Sequence, residues 1–308
     1  MPALISHHLF GEDAANRLPD DLVVGQEELL AFLLGNQGPD PLLASFSTTP
    51  ATAAACHRFA HKMHEDKIVE ALLSARSAVS FLPESDKRVG NAYSLGLLAH
   101  YILDSAGNPF VSAQVEALCA ADPNLLGSEE SIHAIIESDL DVWLLWSQRG
   151  QTIIDAPASS DLMRTDRITR VAGALLSHIA LQVFGLDIGA DSFGASVDDY
   201  ELIYALIDPA PSVRTTALAR VEELLLGGRR LKSLAHYVTT TDECPAANLE
   251  RHPWTDPATH AERTDSFADI YFDSLDRWPA FVSAFVQGDA EALERLVSNR
   301  NYEGLPIQ

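Results

Sequence analysis

The sequence is poor in cysteine and lacks long apolar runs. Only three of its 308 residues are cysteines, Cys56, Cys119 and Cys244, and they lie far apart with no Cys-x-x-Cys pair. This spacing argues against a thiolate zinc knuckle or a disulfide framework and predicts buried free thiols in a reducing compartment. No apolar run approaches the roughly 20 residues that a membrane span requires.

Basic residues are also scarce. The chain has 21 Lys and Arg against 44 Asp and Glu, a formal net charge of −23. Such a surface repels nucleic acid and anionic lipid, so we expect neither a nucleic-acid partner nor stable membrane association. The first eight residues lack a basic region followed by an apolar run, so no signal peptide is expected. These features predict a soluble, cytoplasmic protein, and most of its carboxylates simply favour solubility.

What the sequence has in abundance is helical apolar periodicity. Alternating strand patterns are rare, so the chain is expected to be all-α. With 308 residues that are 47% hydrophobic, it can bury a large core. We therefore predict one compact multi-helix domain over 1–308, in which 1–150 carries the chemistry and 151–308 completes the core.

The segment 91–110 reads as a helix that is apolar on nearly every side, and such a helix is buried. It carries His100 and Asp104, which lie four residues apart and so share one face. A buried charge must be paired or bound to a metal, so either a structural His–Asp pair or a metal site fits. Pro109, after a glycine and an asparagine, is expected to end this helix.

Further histidines and carboxylates follow helical spacing. A helix predicted over 50–82 carries three histidines at i, i+4 and i+7, of which the last, His64, is a candidate ligand. A helix from residue 128 carries His133 and Glu137, with Asp141 extending their face. An exposed His–Glu pair is the alternative there.

Two more candidates lie near the start of the chain. His7 lies near the amino terminus, and Asp40 lies between two prolines that restrain its backbone. A surface terminus and a turn-capping residue are the respective alternatives. His178 and His236 lie among apolar residues and are predicted to be packed core histidines.

The candidate ligands are all histidines or carboxylates, with no cysteine among them. The set comprises His7, Asp40, His64, His100, Asp104, His133 and Glu137. It suits zinc, or another first-row divalent ion, in a hydrolytic site rather than a closed structural site. Two such ions can polarise a phosphoryl oxygen and generate hydroxide near neutral pH.

The order of these residues resembles the zinc-dependent phospholipase C family, and most closely its cytoplasmic bacterial members without a secretion signal. Five ordered motifs carry the resemblance: His7-x-x-Phe10-Gly11, Gln37-Gly38-Pro39-Asp40-Pro41, Met63-His64-Glu65, Gly96-x-x-x-His100-Tyr101-x-x-Asp104-x-x-x-x-Pro109 and His133-x-x-x-Glu137. The loop from Asn248 to Pro257, Ser266-Phe267 and Asn301-Tyr302 extend it over nearly the whole chain.

The resemblance implies an all-helical fold, shared with single-strand-specific zinc nucleases, that holds one to three zinc ions. It places His64, His100 and Asp104 around one ion and lets Asp104 bridge to a second ion at His7. It assigns His133 and Glu137 to a third ion. Asp40 would act as the base, or as a metal-bound group that orients the attacking water.

The sequence departs from that family in three respects. Asn108 stands where related sequences usually have a histidine, so the third ion would need Asp141 to complete its ligands. We also expect neither a processed amino terminus that could serve as a ligand nor a separate β-sandwich for membrane docking.

The resulting expectation is a phospholipase C-like phosphodiesterase in which metal-bound hydroxide attacks phosphorus. Its substrate would be a small-molecule or lipid-derived phosphate ester. The alternative is a non-catalytic helical metal-binding or scaffold protein with a degenerate site.

Overall fold

A computed structural model describes residues 4–212, 214–217 and 230–307. The predicted all-α fold is confirmed, because helices and short 3-10 turns make up nearly all of the regular structure within these ranges. Apolar periodicity also predicts a helix over 212–226, but most of that segment lies outside the described residues. A single hydrophobic cluster includes residues from Leu4 to Tyr302, so both halves of the chain pack into one helical body.

The longest helix, α5, spans Lys87–Ala121 and is buried along most of its central length. The predicted burial is confirmed, but the predicted end of this helix at Pro109 is wrong. Proline removes only one backbone donor, and the carbonyl of Ser105 loses its helical partner. Buried apolar residues continue beyond it, including Phe110 and Val111, and their burial favours continuation of the helix.

Helix α2 (Gln26–Gly35) crosses α5 with its backbone in direct contact. A Cβ added to Gly35 would lie 2.2 Å from the carbonyl oxygen of Tyr93, and one added to Gly96 would lie 2.1 Å from that of Phe32. Only glycine permits this approach. The crossing sets the loop after α2, and hence the 3-10 turn Asp40–Ala44, against the buried centre of α5.

The single helix predicted over 50–82 is in fact two, α3 (Pro50–Glu65) and α4 (Ile68–Ala78). Threonine at 49 followed by proline at 50 predicts a helix start, and this is confirmed, since the Thr49 side chain accepts a hydrogen bond from the backbone N–H of Thr52. Between the helices Asp66 is extended and Lys67 is left-handed, with φ 53°. This break lets α4 turn toward the second half of the chain while His64 stays near the end of α3.

Helix α1 (Leu4–Ala15) packs against α6 (Glu129–Arg149). Asp141 of α6 accepts hydrogen bonds from the backbone N–H groups of Ile5 and Ser6, at 2.9 and 2.8 Å. A carboxylate at this position caps the free donors of the first turn and interacts favourably with the helix dipole. It therefore fixes the position of α1, which carries His7.

The described part of the second half adds five α-helices and one two-stranded sheet. The elements are α7 (Asp166–Phe184), α8 (Ser192–Ile207), α9 (Arg230–Ser233), β1 (Trp254–Thr255), β2 (Glu262–Arg263), α10 (Phe267–Gln287) and α11 (Ala290–Val297). The two strands pair antiparallel. Helix α10 begins with a capping box between Ser266 and Asp269 and continues through Pro279.

Within the described ranges, no helix combines the length and the apolar character that crossing a membrane demands.

Candidate metal centre

Five of the predicted ligands converge in the structure and form what we call the central cluster. Its members are His7 on α1, Asp40 in the 3-10 turn, His64 on α3, and His100 with Asp104 on α5. They form two overlapping groups that could each hold a metal ion: His7 with His100 and Asp104, and Asp40 with His64 and His100. Residues from four separate elements thus present ligand atoms to one small volume.

His100 and His64 both direct Nε2 toward carboxylate oxygens. His100 Nε2 lies 3.3 Å from Asp104 Oδ2 and 3.7 Å from Asp40 Oδ2. His64 Nε2 lies 3.1 Å from Asp40 Oδ1 and 3.8 Å from Asp104 Oδ2. Asp40 and Asp104 therefore each face both histidines.

The other ring nitrogen of each histidine is held by a backbone carbonyl. His100 Nδ1 donates to the carbonyl of Asn36 at 3.1 Å, and His64 Nδ1 donates to that of Ala60 at 2.8 Å. A carbonyl only accepts, so Nδ1 carries the proton. In the neutral ring, the lone pair then sits on Nε2, which is how metal-ligating histidines are usually oriented.

His7 reaches the cluster from the opposite side of Asp104. Its Nε2 lies 3.0 Å from Asp104 Oδ1, and its ring centroid lies 4.2 Å from that of His100. The Asn36 side chain donates to the backbone carbonyl of His7. Asp104 thus uses one oxygen toward His7 and the other toward His64 and His100.

Buried polar atoms in the cluster lack hydrogen-bond partners. His100 Nε2 and Asp40 Oδ1 are both buried and neither makes an aligned hydrogen bond, although Asp40 Oδ1 lies 3.1 Å from His64 Nε2. A buried polar atom without a partner is costly. Nitrogen and carboxylate donors held in this way fit a divalent cation, which would satisfy both atoms.

Charge in the cluster favours a cation. Burial alone would lower the pKa of His64, but attraction from the nearby carboxylates of Asp40 and Asp104 raises it to about 9. Burial would raise the pKa of Asp104, yet His100 and His7 hold it well below its usual range. The carboxylate that favours a proton on His64 also favours a metal ion, which would compete with that proton.

His133 and Glu137 form a pair on α6 and belong to neither group. His133 Nε2 lies 2.9 Å from Glu137 Oε1. Asp141, the predicted additional ligand, instead contacts the start of α1 and His236 Nε2, the latter at 3.2 Å. The side-chain amide of Asn108 donates to the carbonyl of Tyr302 at 3.0 Å. A third ion at His133 and Glu137 therefore stays a prediction.

Two features of the site lay beyond the sequence reasoning. Asn36 holds both His100 and His7, and its only signal was its place directly after the glycine at which α2 ends. Tyr302 packs its ring against His64 and His100, with centroids 4.9 and 5.5 Å apart. The sequence motif Asn301-Tyr302 indicates the residue but predicts none of these contacts.

His236, predicted to be a packed core histidine, is buried but ion-paired on both ring nitrogens. Its Nδ1 lies 2.8 Å from Asp208 Oδ2, in addition to the Asp141 contact. Burial would lower the pKa of His236, yet these two carboxylates raise it to about 10. The residue is thus a charged link between α6 and the end of α8.

Comparisons of the chain with protein-family models, curated proteins and solved structures found no match in any of the three. The resemblance to the zinc-dependent phospholipase C family therefore rests on the ordered motifs alone and stays a prediction.

Proposed function

We propose that this protein is a metal-dependent hydrolase of phosphate esters, with zinc as the expected ion. The observation that carries the proposal is the central cluster, in which His100 Nε2 and Asp40 Oδ1 are buried without an aligned partner. Histidine and carboxylate donors without thiolate are the usual set of hydrolytic zinc sites.

The residues offer one metal position with four candidate ligands and a second metal position with fewer ligands of its own. Asp40, His64, His100 and Asp104 would hold the first ion, and His7 with the second oxygen of Asp104 would contribute to another. When bound, such an ion supplies polarisation of a phosphoryl oxygen and activation of a water molecule.

The roles of the chain's own groups follow from their contacts. Burial would raise the pKa of Asp40, but His100 and His64 lower it, so its carboxylate is ionised at neutral pH. Asp40 can therefore orient a water or accept its proton. Asn36 and Ala60 fix the two imidazoles, and the ring of Tyr302 keeps bulk water from one side of the cluster.

One observation favours the second candidate, a helical protein that holds metal without turnover. The five side chains of the central cluster are only 0–13% exposed, with His64 and Asp104 the most accessible. A substrate would have to approach along the edge formed by these two residues. A small phosphate ester suits such an opening, and the net charge of −23 disfavours a polynucleotide.

The test compares two histidines of the same helix. Parent, His64→Ala and His61→Ala proteins are assayed for zinc content and for hydrolysis of bis(p-nitrophenyl) phosphate, with and without chelator. We expect His61→Ala, at an exposed site on α3, to match the parent. His64→Ala should lose zinc and turnover, and Asp40→Asn should lower turnover by about 10²–10⁴-fold.

Each contrary outcome has a distinct meaning. Equal hydrolysis by the parent and His64→Ala would refute the proposed site. Zinc that is lost in His64→Ala, without turnover of any phosphate ester by the parent, would support the non-catalytic alternative.

A further inference from the structure

A groove of about 210 Å³ lies beside α5, between α10 and the turn that follows α11. Its lining includes three arginines, Arg263, Arg277 and Arg300. Ser105 and Ser274 line it as well, and Asp273 is the acidic side chain of the lining. Three guanidiniums around one groove are unexpected in a chain with 21 basic and 44 acidic residues.

Two of the arginines are held in place by carboxylates outside the lining. Arg263 Nε lies 2.6 Å from Asp265 Oδ2, and its guanidinium stacks 4.7 Å above the ring of Trp254. Arg263 and Arg300 both approach Asp256 Oδ2, at 3.8 and 3.7 Å. These contacts fix both side chains at the groove before any ligand arrives.

Arg277 differs from its two neighbours in its partners. Among the described residues, no carboxylate oxygen lies within 4.0 Å of its guanidinium; it donates a long hydrogen bond of 3.4 Å to the carbonyl of Leu296 and lies over the ring of Phe281. The charge of Arg300 acts on it repulsively, and that of Asp273, one turn earlier on α10, acts on it attractively. Arg277 and Arg300 therefore face one groove, in which Asp273 is the acidic side chain of the lining and Asp256 lies behind Arg300.

An anion in this groove would offset that repulsion. Guanidinium groups bind phosphate and carboxylate oxygens through paired N–H donors. The volume is below the roughly 300–1,000 Å³ of pockets for larger ligands, so it suits one small oxyanion. We propose that the groove formed by Arg277, Arg300 and Arg263 binds a small oxyanion of the phosphate type, with Arg277 as its main contact.

This groove is distinct from the central cluster. Tyr101 lines the groove, its ring packs 5.1 Å from that of Tyr302, and Tyr302 in turn packs against His64 and His100. Two aromatic side chains thus separate the arginines from the candidate ligands. Binding here does not depend on the proposed hydrolase function and can be measured without metal.

The test uses inorganic phosphate and full-length protein treated with chelator, so that no metal can bind the anion. Calorimetric titration at low ionic strength should show one equivalent bound by the parent. Arg277→Gln should weaken binding by about tenfold or more, the scale of a lost charge-assisted contact. Arg295→Gln is the matched control, because Arg295 is 69% exposed and is not part of this lining.

Two further arms sharpen the result. Arg277→Lys keeps the charge but loses the planar fork, and it should bind phosphate more weakly than the parent. Sodium acetate should compete only weakly, since it carries a single charge. Absence of phosphate binding by the parent, or equal binding by the parent and Arg277→Gln, would overturn the proposal. If Arg295→Gln weakened phosphate binding as much as Arg277→Gln, the binding would reflect general surface charge, and the proposal would be overturned as well.

Discussion

Gly38 lies directly against the imidazole of His100. A Cβ added to Gly38 would be 2.2 Å from His100 Cδ2 and 2.4 Å from Nε2, closer than any side chain can approach. Gly38 also has a φ of +59°, in the left-handed region. The lack of a side chain at Gly38 therefore leaves room for the His100 ring to place its Nε2 near Asp40.

The first prediction concerns this contact. In Gly38→Ala the new methyl group displaces the His100 ring, and we expect zinc affinity to fall by about tenfold or more, as when groups that orient a ligand are changed. Titration of the metal-free protein with zinc and a competing chelator measures the change.

Gly150→Ala is the control for backbone strain. Gly150 has a similar φ of +62°, but nothing lies within 4 Å of an added Cβ. Both variants should lose about 1–2 kcal/mol of unfolding free energy from the left-handed backbone. If Gly38→Ala bound zinc as tightly as Gly150→Ala, the proposed role of the contact would be wrong.

The second prediction separates the central cluster from the pair on α6. His133 contacts Glu137 but belongs to neither candidate group. His133→Ala should therefore keep every tightly bound equivalent of zinc, whereas His100→Ala should lose them. Metal content by mass spectrometry after extensive dialysis decides this. Loss of one equivalent in His133→Ala would instead reveal a third ion at that pair.

The third prediction concerns the pH dependence of stability through His236. Its pKa is raised from 6.5 to about 10 in the folded protein, so the folded state binds this proton more tightly than the unfolded state. The resulting stabilisation is complete below pH 6.5 and is lost as the pH rises through 10. At pH 7, His236→Gln should lower the free energy of unfolding by about 3 kcal/mol, because two buried carboxylates lose their partner.

Urea unfolding at pH 7 and pH 10 tests this sign. The difference between parent and His236→Gln should shrink at the higher pH. His178→Gln provides a comparison, since the ring of His178 packs against Phe81 rather than between carboxylates. A difference that grows with pH would contradict the assignment of a charged His236.

The fourth prediction concerns Asn108, which stands where the family that the sequence resembles usually has a histidine. Its amide holds the carbonyl of Tyr302, whose backbone N–H also donates to the carbonyl of His64 at 3.1 Å. Asn108→Ala should cost about 1–3 kcal/mol, because it leaves a buried acceptor without a donor. It should also weaken zinc binding, because the ring of Tyr302 supports His64 and His100.

Chemical denaturation and zinc titration measure the two effects. Asn124→Ala removes an amide that bonds Asp122 at 2.8 Å on the exposed surface, and it should be nearly neutral in both assays. Unchanged stability in Asn108→Ala would show that the bond to Tyr302 contributes little.

Several elements of the fold could be predicted because their causes are local. Apolar periodicity identified the helices, the threonine and proline at 49 and 50 marked the start of α3, and an all-round apolar pattern identified α5 as buried. Boundaries that depend on distant contacts were missed. Helix α5 continues through Pro109 because tertiary burial outweighs one lost hydrogen bond. Helix α3 ends at Glu65, where Asp66 is extended and Lys67 is left-handed, and no local residue pattern predicts this break.

The candidate site divides in the same way. The spacing of His100 and Asp104 already placed them on one helix face, since a helix repeats every 3.6 residues. Nothing local to the sequence brings His7, Asp40 and His64 to that face, and only the ordered motifs pointed to it. The close crossing of α2 and α5 positions Asp40, and the capping of α1 by Asp141 positions His7. Helix α3, which carries His64, packs against the 3-10 turn of Asp40.

By itself, the sequence determined the helical class, the acidic surface and the types of side chain available to a site, because these follow from composition and periodicity. Only the tertiary structure decided which of those side chains meet, that His236 is charged between Asp141 and Asp208, and that three arginines share a groove. Such relations join residues far apart in the chain, and they depend on packing that local patterns do not encode.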